Sequence, residues 1–268
     1  MENNLSLSII LPLKTSITRD FSEYFDKAIK SIQNQTVKPQ EVIIVYANEK
    51  TLVDFIESFE FGELTVSKLL WDKTPNYCEQ VNYGIKNSKS EWFSIFEFDD
   101  EYAAIWFKNV EKYIKFYPGV QVFLPVVIDT DEKNTFAGFT NEATFAANFT
   151  QEMGYLTNET LQNYQNFQTA GAVFKKSVID DFGGFKPSIK LTFIYEFLLR
   201  LTYNSVSIMT IPKIGYKHTN MREGSIFWDY KFGGSQMSED EVKFWVQTAK
   251  KEYFFTDDRV IKYEPQNV

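Results

Sequence analysis

The sequence has few residues of the types that usually build thiol or imidazole sites. It contains one cysteine, Cys78, and one histidine, His218, among its 268 residues. A single thiol cannot form a disulfide within the chain, so no disulfide framework is expected. Cys78 has no second cysteine or histidine to partner it, and we therefore expect it to be packed in the interior rather than to act as a nucleophile.

Long hydrophobic runs are also missing. The amino-terminal stretch MENNLSLSIILPLK lacks basic residues before its apolar run, and Pro12 interrupts that run. The apolar segment VQVFLPVVI, which begins at Val120, is far shorter than a membrane span. We therefore expect neither a signal peptide nor an integral membrane segment, and we expect a cytoplasmic protein in a reducing compartment.

Basic residues are outnumbered by acidic ones. The chain has 28 Lys and Arg against 36 Asp and Glu, a formal net charge of -8. This balance argues against a nucleic-acid partner, because a duplex binder needs a basic face to neutralise phosphates. The negative net charge does not exclude an anionic ligand that is held through a metal ion. Hydrophobic residues make up 44% of the chain, which indicates a globular protein rather than a disordered one.

Strand-like and helix-like segments alternate along the first half of the chain. The apolar run Leu5–Leu13 is typical of a strand buried on both faces, and apolar residues recur at helical spacing from Phe21. A second buried strand follows at Glu41–Ala47, so these pieces form a β-α-β unit with parallel strands. The pattern continues through TLVDFIESF, LTVSKLLW and NYCEQVNYGIKNS. It predicts an α/β fold with a mostly parallel central sheet flanked by helices, of the nucleotide-binding type.

The second half is less regular. The patterns predict a helix over residues 103–116, a strand in VQVFLPVVI, a helix in FIYEFLLRLTYN, a strand in SIMTIPKIGYKH and a terminal helix in SEDEVKFWVQTAKKEYFF. The polar region from Asp129 to Phe167 has no clear periodicity, and its structure is left open.

The stretch WFSIFEFDDEY ends an apolar run in carboxylates. Glu97, Asp99 and Asp100 stand at the carboxyl end of a predicted strand, where ligands bind in open α/β sheets. Buried carboxylates repel one another unless a cation lies between them, so a metal site is favoured over a solvated strand end. A rival Asp-x-Asp, Asp129 to Asp131, is followed by Glu-Lys-Asn, which is typical of a loop tip.

Five motifs in order give the chain a resemblance to a known family. They are SIILPLK, AIKSIQNQTVKPQEVIIV, NYGIKNSKSEWFSIFEFDDEY, AGAVFKKSVIDDFGGF and YKHTNMREGSI. Together they resemble the family-2 glycosyltransferases, which have a GT-A fold, from about Leu7 to about Phe227. The resemblance implies a glycosyltransferase-like domain over residues 1–230, divided into a donor-binding half (1–118) and an acceptor and metal-loop half (119–230). Residues 231–268 would form a C-terminal helical extension.

The resemblance implies an enzyme that moves a sugar from a nucleotide-diphosphate donor, whose base the sequence does not identify, to a glycan or other hydroxyl acceptor. The transfer would invert the anomeric configuration and depend on Mn²⁺ or Mg²⁺. The metal would neutralise the leaving diphosphate. Asp99 or Asp100 would be the direct carboxylate ligand, and His218 falls where the family has its third ligand. Glu97 would lie nearer the ribose or the metal's waters.

The family's catalytic base is less easily assigned. Relatives carry a Glu-Asp pair before a helix that ends in Arg-Leu, and aligning on Arg200 places that pair on Phe193 and Ile194. Glu196 is the acid that remains, and we take it as the candidate base. An ion pair between Glu196 and Arg200, at helical i,i+4 spacing, is the alternative. Loss of the pair would instead leave a catalytically silent GT-A domain that binds a nucleotide sugar or glycan.

Four further residues are assigned to donor binding from the resemblance. Pro12 lies in the family's opening turn. Asn82 lies on its donor-side helix and would either bond to the donor or cap a neighbouring loop. The family's Val-Asp-Asp-Gly-Ser after the second strand is replaced here by Val-Tyr-Ala-Asn-Glu. Tyr46 would stack on the base and Asn48 would hydrogen-bond to it, unless both are ordinary loop residues.

Overall fold

The computed structural model describes residues 5–14, 20–142 and 154–265. In this part of the chain a single sheet has helices on both faces, which confirms the predicted α/β class. The first half alternates regularly between strands and helices. Its elements are β1 (Leu5–Leu13), α1 (Phe21–Gln33), β2 (Pro39–Ala47), α2 (Lys50–Ser58), β3 (Val66–Trp71), α3 (Tyr77–Asn87) and β4 (Trp92–Ile95).

The second half contains short elements that the sequence pattern did not predict, among them β5, β8 and α8. The region left open by the sequence contributes β7, β8 and α5, while residues 143–153 lie outside the described residues. The elements are β5 (Glu101–Tyr102), α4 (Trp106–Phe116), β6 (Val122–Thr130), β7 (Phe136–Thr140), β8 (Tyr155–Leu156), α5 (Asn158–Asn163), β9 (Val173–Lys175), α6 (Ser177–Phe182), α7 (Phe193–Tyr203), β10 (Ile208–Thr219), α8 (Ile226–Phe232) and α9 (Glu239–Glu252).

The strand order decides where a ligand can bind. The sheet runs β3-β2-β1-β4-β9-β6-β10-β5, and β1 pairs in parallel with both β2 and β4. The chain therefore moves outward from β1 through β2 to β3, and then returns to the other side of β1. Such a reversal leaves a crevice at the carboxyl ends of the two strands, which here means between β1 and β4.

Both faces of the sheet are covered by apolar packing. Successive side chains of a strand point to opposite faces, and in β1 Ile9 and Ile10 enter two separate cores. Phe25 of α1 belongs to the first core, whereas Trp245 of α9 belongs to the second. Burial on both faces explains why β1 and β2 read as continuous hydrophobic runs. No helix within the described residues has both the length and the apolar character needed to span a bilayer.

Helix α3 lies unusually close to β1. A Cβ atom at Gly84 would come within 2.5 Å of Ile10 Cγ2, so only glycine fits at this point. The neighbouring Asn82 joins α3 to the loop before α7, because its side-chain amide donates to Phe185 O at 2.7 Å and its Oδ1 accepts from Phe185 N at 2.9 Å. Both polar atoms of the Asn82 side chain thus hydrogen-bond to the protein itself. They are not available to bind a nucleotide-sugar donor.

A buried ion cluster links α7 to the C-terminal segment. Glu196 is fully buried and pairs with Arg200 at 2.9 Å and with Lys186 at 3.0 Å. Arg200 also donates to the carbonyls of Gly183 and Gly184. Lys186 donates to the carbonyl of Glu252, at the end of α9. The segment expected to be an extension is therefore packed onto α7, and residues 266–268 lie outside the described part of the chain.

This geometry corrects the assignment of Glu196 as the catalytic base. Its carboxylate is 0% exposed and both of its oxygens are bound to Arg200, while Oε1 also meets Lys186. A base must reach the proton that it removes, and Glu196 faces the interior instead. The i,i+4 ion pair, which the sequence left as the alternative, is the arrangement found.

We expect Glu196→Gln to lower the free energy of unfolding by about 3–5 kcal/mol, because it leaves Arg200 and Lys186 buried without their balancing charge. Urea denaturation followed by circular dichroism measures this change. The matched control is Glu111→Gln, which removes an i,i+4 partner from the more exposed Lys115 and is expected to cost less than about 1 kcal/mol. Equal losses in the two variants would show that the buried cluster contributes no more than a surface pair.

Candidate functional site

The acidic strand end folds back so that it faces the end of β10. After β4 the chain makes a turn in which Asp100 N–H donates to Glu97 O, and the short strand β5 then pairs antiparallel with β10. This pairing brings His218 beside Asp100, with 3.1 Å between His218 Nδ1 and Asp100 Oδ2. The Thr219 backbone N–H also donates to Asp100, at 2.8 Å. Residues 118 positions apart in sequence are thus brought together.

Glu97, Asp100 and His218 form the group that could hold a metal ion. One ligand atom from each lies within 4.8 Å of the other two. Two carboxylates and one imidazole suit Mn²⁺ or Mg²⁺, and ligands on opposite sides of Mg²⁺ are about 4.2 Å apart. A small inward movement of the side chains would therefore allow one ion to bind all three. The donor set fits the metal that the resemblance implies.

Glu97 is held in place by two tyrosines from other elements. The Tyr77 hydroxyl, at the start of α3, donates to Glu97 Oε1 at 3.2 Å. The Glu97 backbone N–H donates to the hydroxyl oxygen of Tyr216 on β10, also at 3.2 Å. The side chain expected near the ribose or the metal's waters is therefore part of the three-residue group itself.

Asp99 has a different partner from the one expected of a metal ligand. Its Oδ2 accepts a hydrogen bond from Arg222 Nε, and the two side chains are only 6% and 7% exposed. Its backbone carbonyl accepts a hydrogen bond from the Thr219 hydroxyl at 2.6 Å. The metal set expected from the sequence was Asp99, Asp100 and His218, and the structure places Glu97 where Asp99 was expected. The difference arises because an arginine that follows β10 reaches Asp99.

The charges of the site account for these pairings. Burial and the charge of Asp100 raise the pKa of Glu97 to about 7 and also raise the pKa of Asp99, which Arg222 counteracts. Burial lowers the pKa of His218, but the charges of Asp100 and its acidic neighbours outweigh this effect and raise that pKa to about 10. Without a metal ion, a protonated imidazole and a guanidinium therefore balance the carboxylates.

A cavity of about 390 Å³ opens beside these residues. Pro12 and Lys14 border it at the end of β1, in the crevice expected from the strand order. Phe193 and Phe227 also border it, with nearly parallel rings whose centroids are 6.1 Å apart. The cavity is further lined by Glu97, Asp99, Asp129, Ile194, His218 and Arg222.

Asp129 is a cavity residue whose place the sequence did not predict. It lies near the end of β6, opposite His218 in the parallel pairing of β6 with β10. The Thr140 hydroxyl of β7 donates to Asp129 Oδ2, and Gln168 Nε2 lies 3.5 Å from Oδ1. Burial raises the pKa of Asp129. Its neighbours Asp131 to Asn134 form the expected turn, but Asp129 itself belongs to the strand and faces inward.

A second cavity, of about 410 Å³, adjoins the first through Lys14, which lines both. It lies at the ends of β2 and β3, where Asn48 donates to Asp72 at 2.7 Å. Asn48 therefore lines this second cavity, and its hydrogen bond to a base stays a prediction. Tyr46 does not line it: its ring is buried, and its hydroxyl donates to Glu57 of α2 at 2.9 Å. Stacking of Tyr46 on a base is not supported by this placement, because the side chain lies on the α2 side of the sheet.

The comparisons with known proteins are consistent with this fold. The profile of the family described as Glycosyl transferase family 2 matches residues 8–183. No protein with a curated description matches the sequence. Among solved structures, S. aureus TarS 1-349 in complex with UDP-GlcNAc is 16% identical with a TM-score of 0.67, covering 95% of this chain and 68% of that one.

The same TarS fragment in complex with UDP is 16% identical with a TM-score of 0.60, covering 80% of this chain and 60% of that one. A further S. aureus TarS structure is 15% identical with a TM-score of 0.59, covering 92% of this chain and 43% of that one. This chain thus spans between about two fifths and two thirds of the length of these neighbours. The family match covers well over half of the sequence, and the chain therefore belongs to glycosyl transferase family 2.

Proposed function

We propose that this chain is a metal-dependent, inverting glycosyltransferase that moves a sugar from a nucleotide-diphosphate donor to an acceptor hydroxyl. The observation that carries the proposal is the meeting of Glu97, Asp100 and His218 beside a cavity at the switch point of the sheet. The chain's family and the UDP and UDP-GlcNAc complexes of TarS support a nucleotide sugar as the donor.

The residues take different parts in this proposal. Asn48 and Asp72 line the end of the crevice that would take the nucleoside, and Lys14 lies between that end and the main cavity. Glu97, Asp100 and His218 would hold Mn²⁺ or Mg²⁺. A divalent cation held there supplies positive charge for the leaving diphosphate. Pro12 closes the wall of the cavity at the end of β1.

Removal of the acceptor proton needs a base, and α7 does not offer one. Phe193 and Ile194, the positions of the family's acidic pair, present apolar side chains to the cavity, while Glu196 is buried in its ion cluster. Asp129 is the carboxylate of the cavity wall that we assign to this role. Within the described residues it forms no ion pair, and Thr140 and Gln168 hold it in a fixed orientation.

The apolar replacement of the acidic pair also favours a second candidate, a domain that binds a nucleotide sugar without turnover. The two candidates make the same donor contacts and differ only in chemistry. Donor turnover therefore distinguishes them, whereas nucleotide binding does not.

We expect Glu97→Gln and His218→Ala each to weaken Mn²⁺ binding by at least tenfold, because each removes one ligand of the ion. Titration calorimetry with MnCl₂ alone measures this. Glu101→Gln is the matched control, since Glu101 belongs to the same acidic stretch but pairs with Lys217 at 2.8 Å. Unchanged Mn²⁺ affinity in both site variants would contradict the assigned metal group.

We expect the wild-type chain to release UDP or GDP from at least one of a panel of nucleotide sugars with Mn²⁺, and EDTA to abolish the release. Asp129→Asn should slow release by on the order of a hundredfold while leaving nucleotide affinity unchanged, as loss of a general base does. Chromatographic measurement of the released nucleotide, with UDP-GlcNAc included, checks both. Nucleotide binding without release from any donor would instead establish the silent domain.

A further inference from the structure

The structure assigns to Arg222 the binding of the donor's diphosphate as a fixed cation, with Asp99 as the residue that positions it. This assignment rests on the proposed function, because it takes a nucleotide diphosphate as the ligand. It divides the acidic strand end into two sites. Glu97 and Asp100 serve the metal ion, whereas Asp99 serves a protein side chain.

Arg222 is held by three contacts to its guanidinium group. Its Nε donates to Asp99 Oδ2, and its guanidinium carbon lies 4.7 Å from the centre of the Phe98 ring. Nη1 donates to the carbonyl of Glu223 at 2.7 Å. An arginine fixed on one edge and one face loses little further side-chain freedom when it binds an anion, so it is prepared for a ligand.

The loop that carries Arg222 is itself tied to the sheet. Asn220 N–H donates to Thr130 O at 2.8 Å, at the end of β6. Glu223 N–H donates to the Glu132 carboxylate, also at 2.8 Å. These bonds hold the loop on both sides of Arg222, which explains how a residue beyond β10 reaches Asp99 after the end of β4.

One end of the guanidinium remains for a ligand. Across 5–14, 20–142 and 154–265, Nη2 donates to no protein group, and Arg222 lines the cavity that also borders Lys14 and His218. The planar fork of an arginine suits phosphate oxygens, which accept two parallel hydrogen bonds from it. A diphosphate in this cavity would therefore contact a positively charged guanidinium even when no metal ion is bound.

The acidic residues have two different roles in this assignment, and the geometry shows which residue has which role. Glu97, Asp100 and His218 approach one another without Asp99, whose oxygen is turned to Arg222. A carboxylate that orients an arginine loses its effect when the arginine is absent. A carboxylate that binds a metal ion loses its effect when the metal is absent. This contrast makes the two roles measurable.

The test is a calorimetric titration of the chain with UDP, GDP and inorganic pyrophosphate, each with Mn²⁺ and with EDTA. The variants are Arg222→Gln, Arg222→Lys, Asp99→Asn and the double variant Asp99→Asn with Arg222→Gln. Pyrophosphate makes the result independent of the base that the chain prefers. The matched control is Arg259→Gln, because Arg259 also pairs with a carboxylate, Glu252, and lies 3.6 Å from a phenylalanine ring, but outside the cavity.

We expect Arg222→Gln to weaken pyrophosphate binding in EDTA by roughly tenfold or more, the usual effect of losing a charge-assisted hydrogen bond. Arg222→Lys keeps the charge but not the planar fork of hydrogen-bond donors. Its pyrophosphate affinity should lie between those of the wild type and Arg222→Gln. Asp99→Asn should weaken binding in EDTA as well, and should cause no further loss in the Arg222→Gln background. Mn²⁺ affinity should be the same in Asp99→Asn as in wild type.

Two results would overturn the assignment. One is a loss in Asp99→Asn that is seen only with Mn²⁺ and adds fully to the loss in Arg222→Gln, as expected of a metal ligand. The other is absence of pyrophosphate binding to the wild-type chain in EDTA. In that case UDP or GDP binding with Mn²⁺ would still support the proposed transferase, so the two failures are distinguishable. Circular dichroism of Arg222→Gln and Arg222→Lys identifies a variant that has not folded.

Discussion

Repulsion among buried carboxylates is the constraint on which the site depends. Glu97, Asp99 and Asp100 follow a fully buried strand within five residues, and the last two are less than a tenth exposed. Charges so close in a medium of low dielectric are tolerated only when cations offset them. The second half of the chain supplies these cations, since His218 lies against Asp100 and Arg222 lies against Asp99. The pairing of β5 with β10 is what makes both contacts possible.

The same constraint relates the site to the fold. The first half of the sheet builds the crevice and presents the acids, but it contains no cation that pairs with them among the described residues. Strand β10 lies between β6 and β5 and carries His218 as its penultimate residue, with Arg222 just beyond its end. The charges of the first half of the chain are therefore left unbalanced without the second half. A single domain, rather than two independent ones, is the arrangement that this dependence favours.

The apolar part of the cavity wall is built on a different principle. Phe193 and Ile194 of α7 and Phe227 of α8 form an apolar wall, and α7 is fixed from behind by the cluster of Glu196, Arg200 and Lys186. Asp129 reaches the same cavity from strand β6 of the sheet. In our proposal the base is therefore a carboxylate on strand β6 and not one on helix α7. The buried ion cluster keeps α7 in place.

The sequence by itself determined the α/β class, the parallel first half and the position of the acidic strand end. These features follow from local periodicity and from runs such as Leu5–Leu13, which depend on neighbouring residues only. It also indicated that His218 would meet the acids. Only the tertiary structure decided which acid meets which cation. Asp99 and Asp100 are adjacent in sequence but point to different partners, and Glu196 turns inward because Lys186 and Arg200 are there. Such choices depend on contacts between residues far apart in the chain, and no local pattern encodes them.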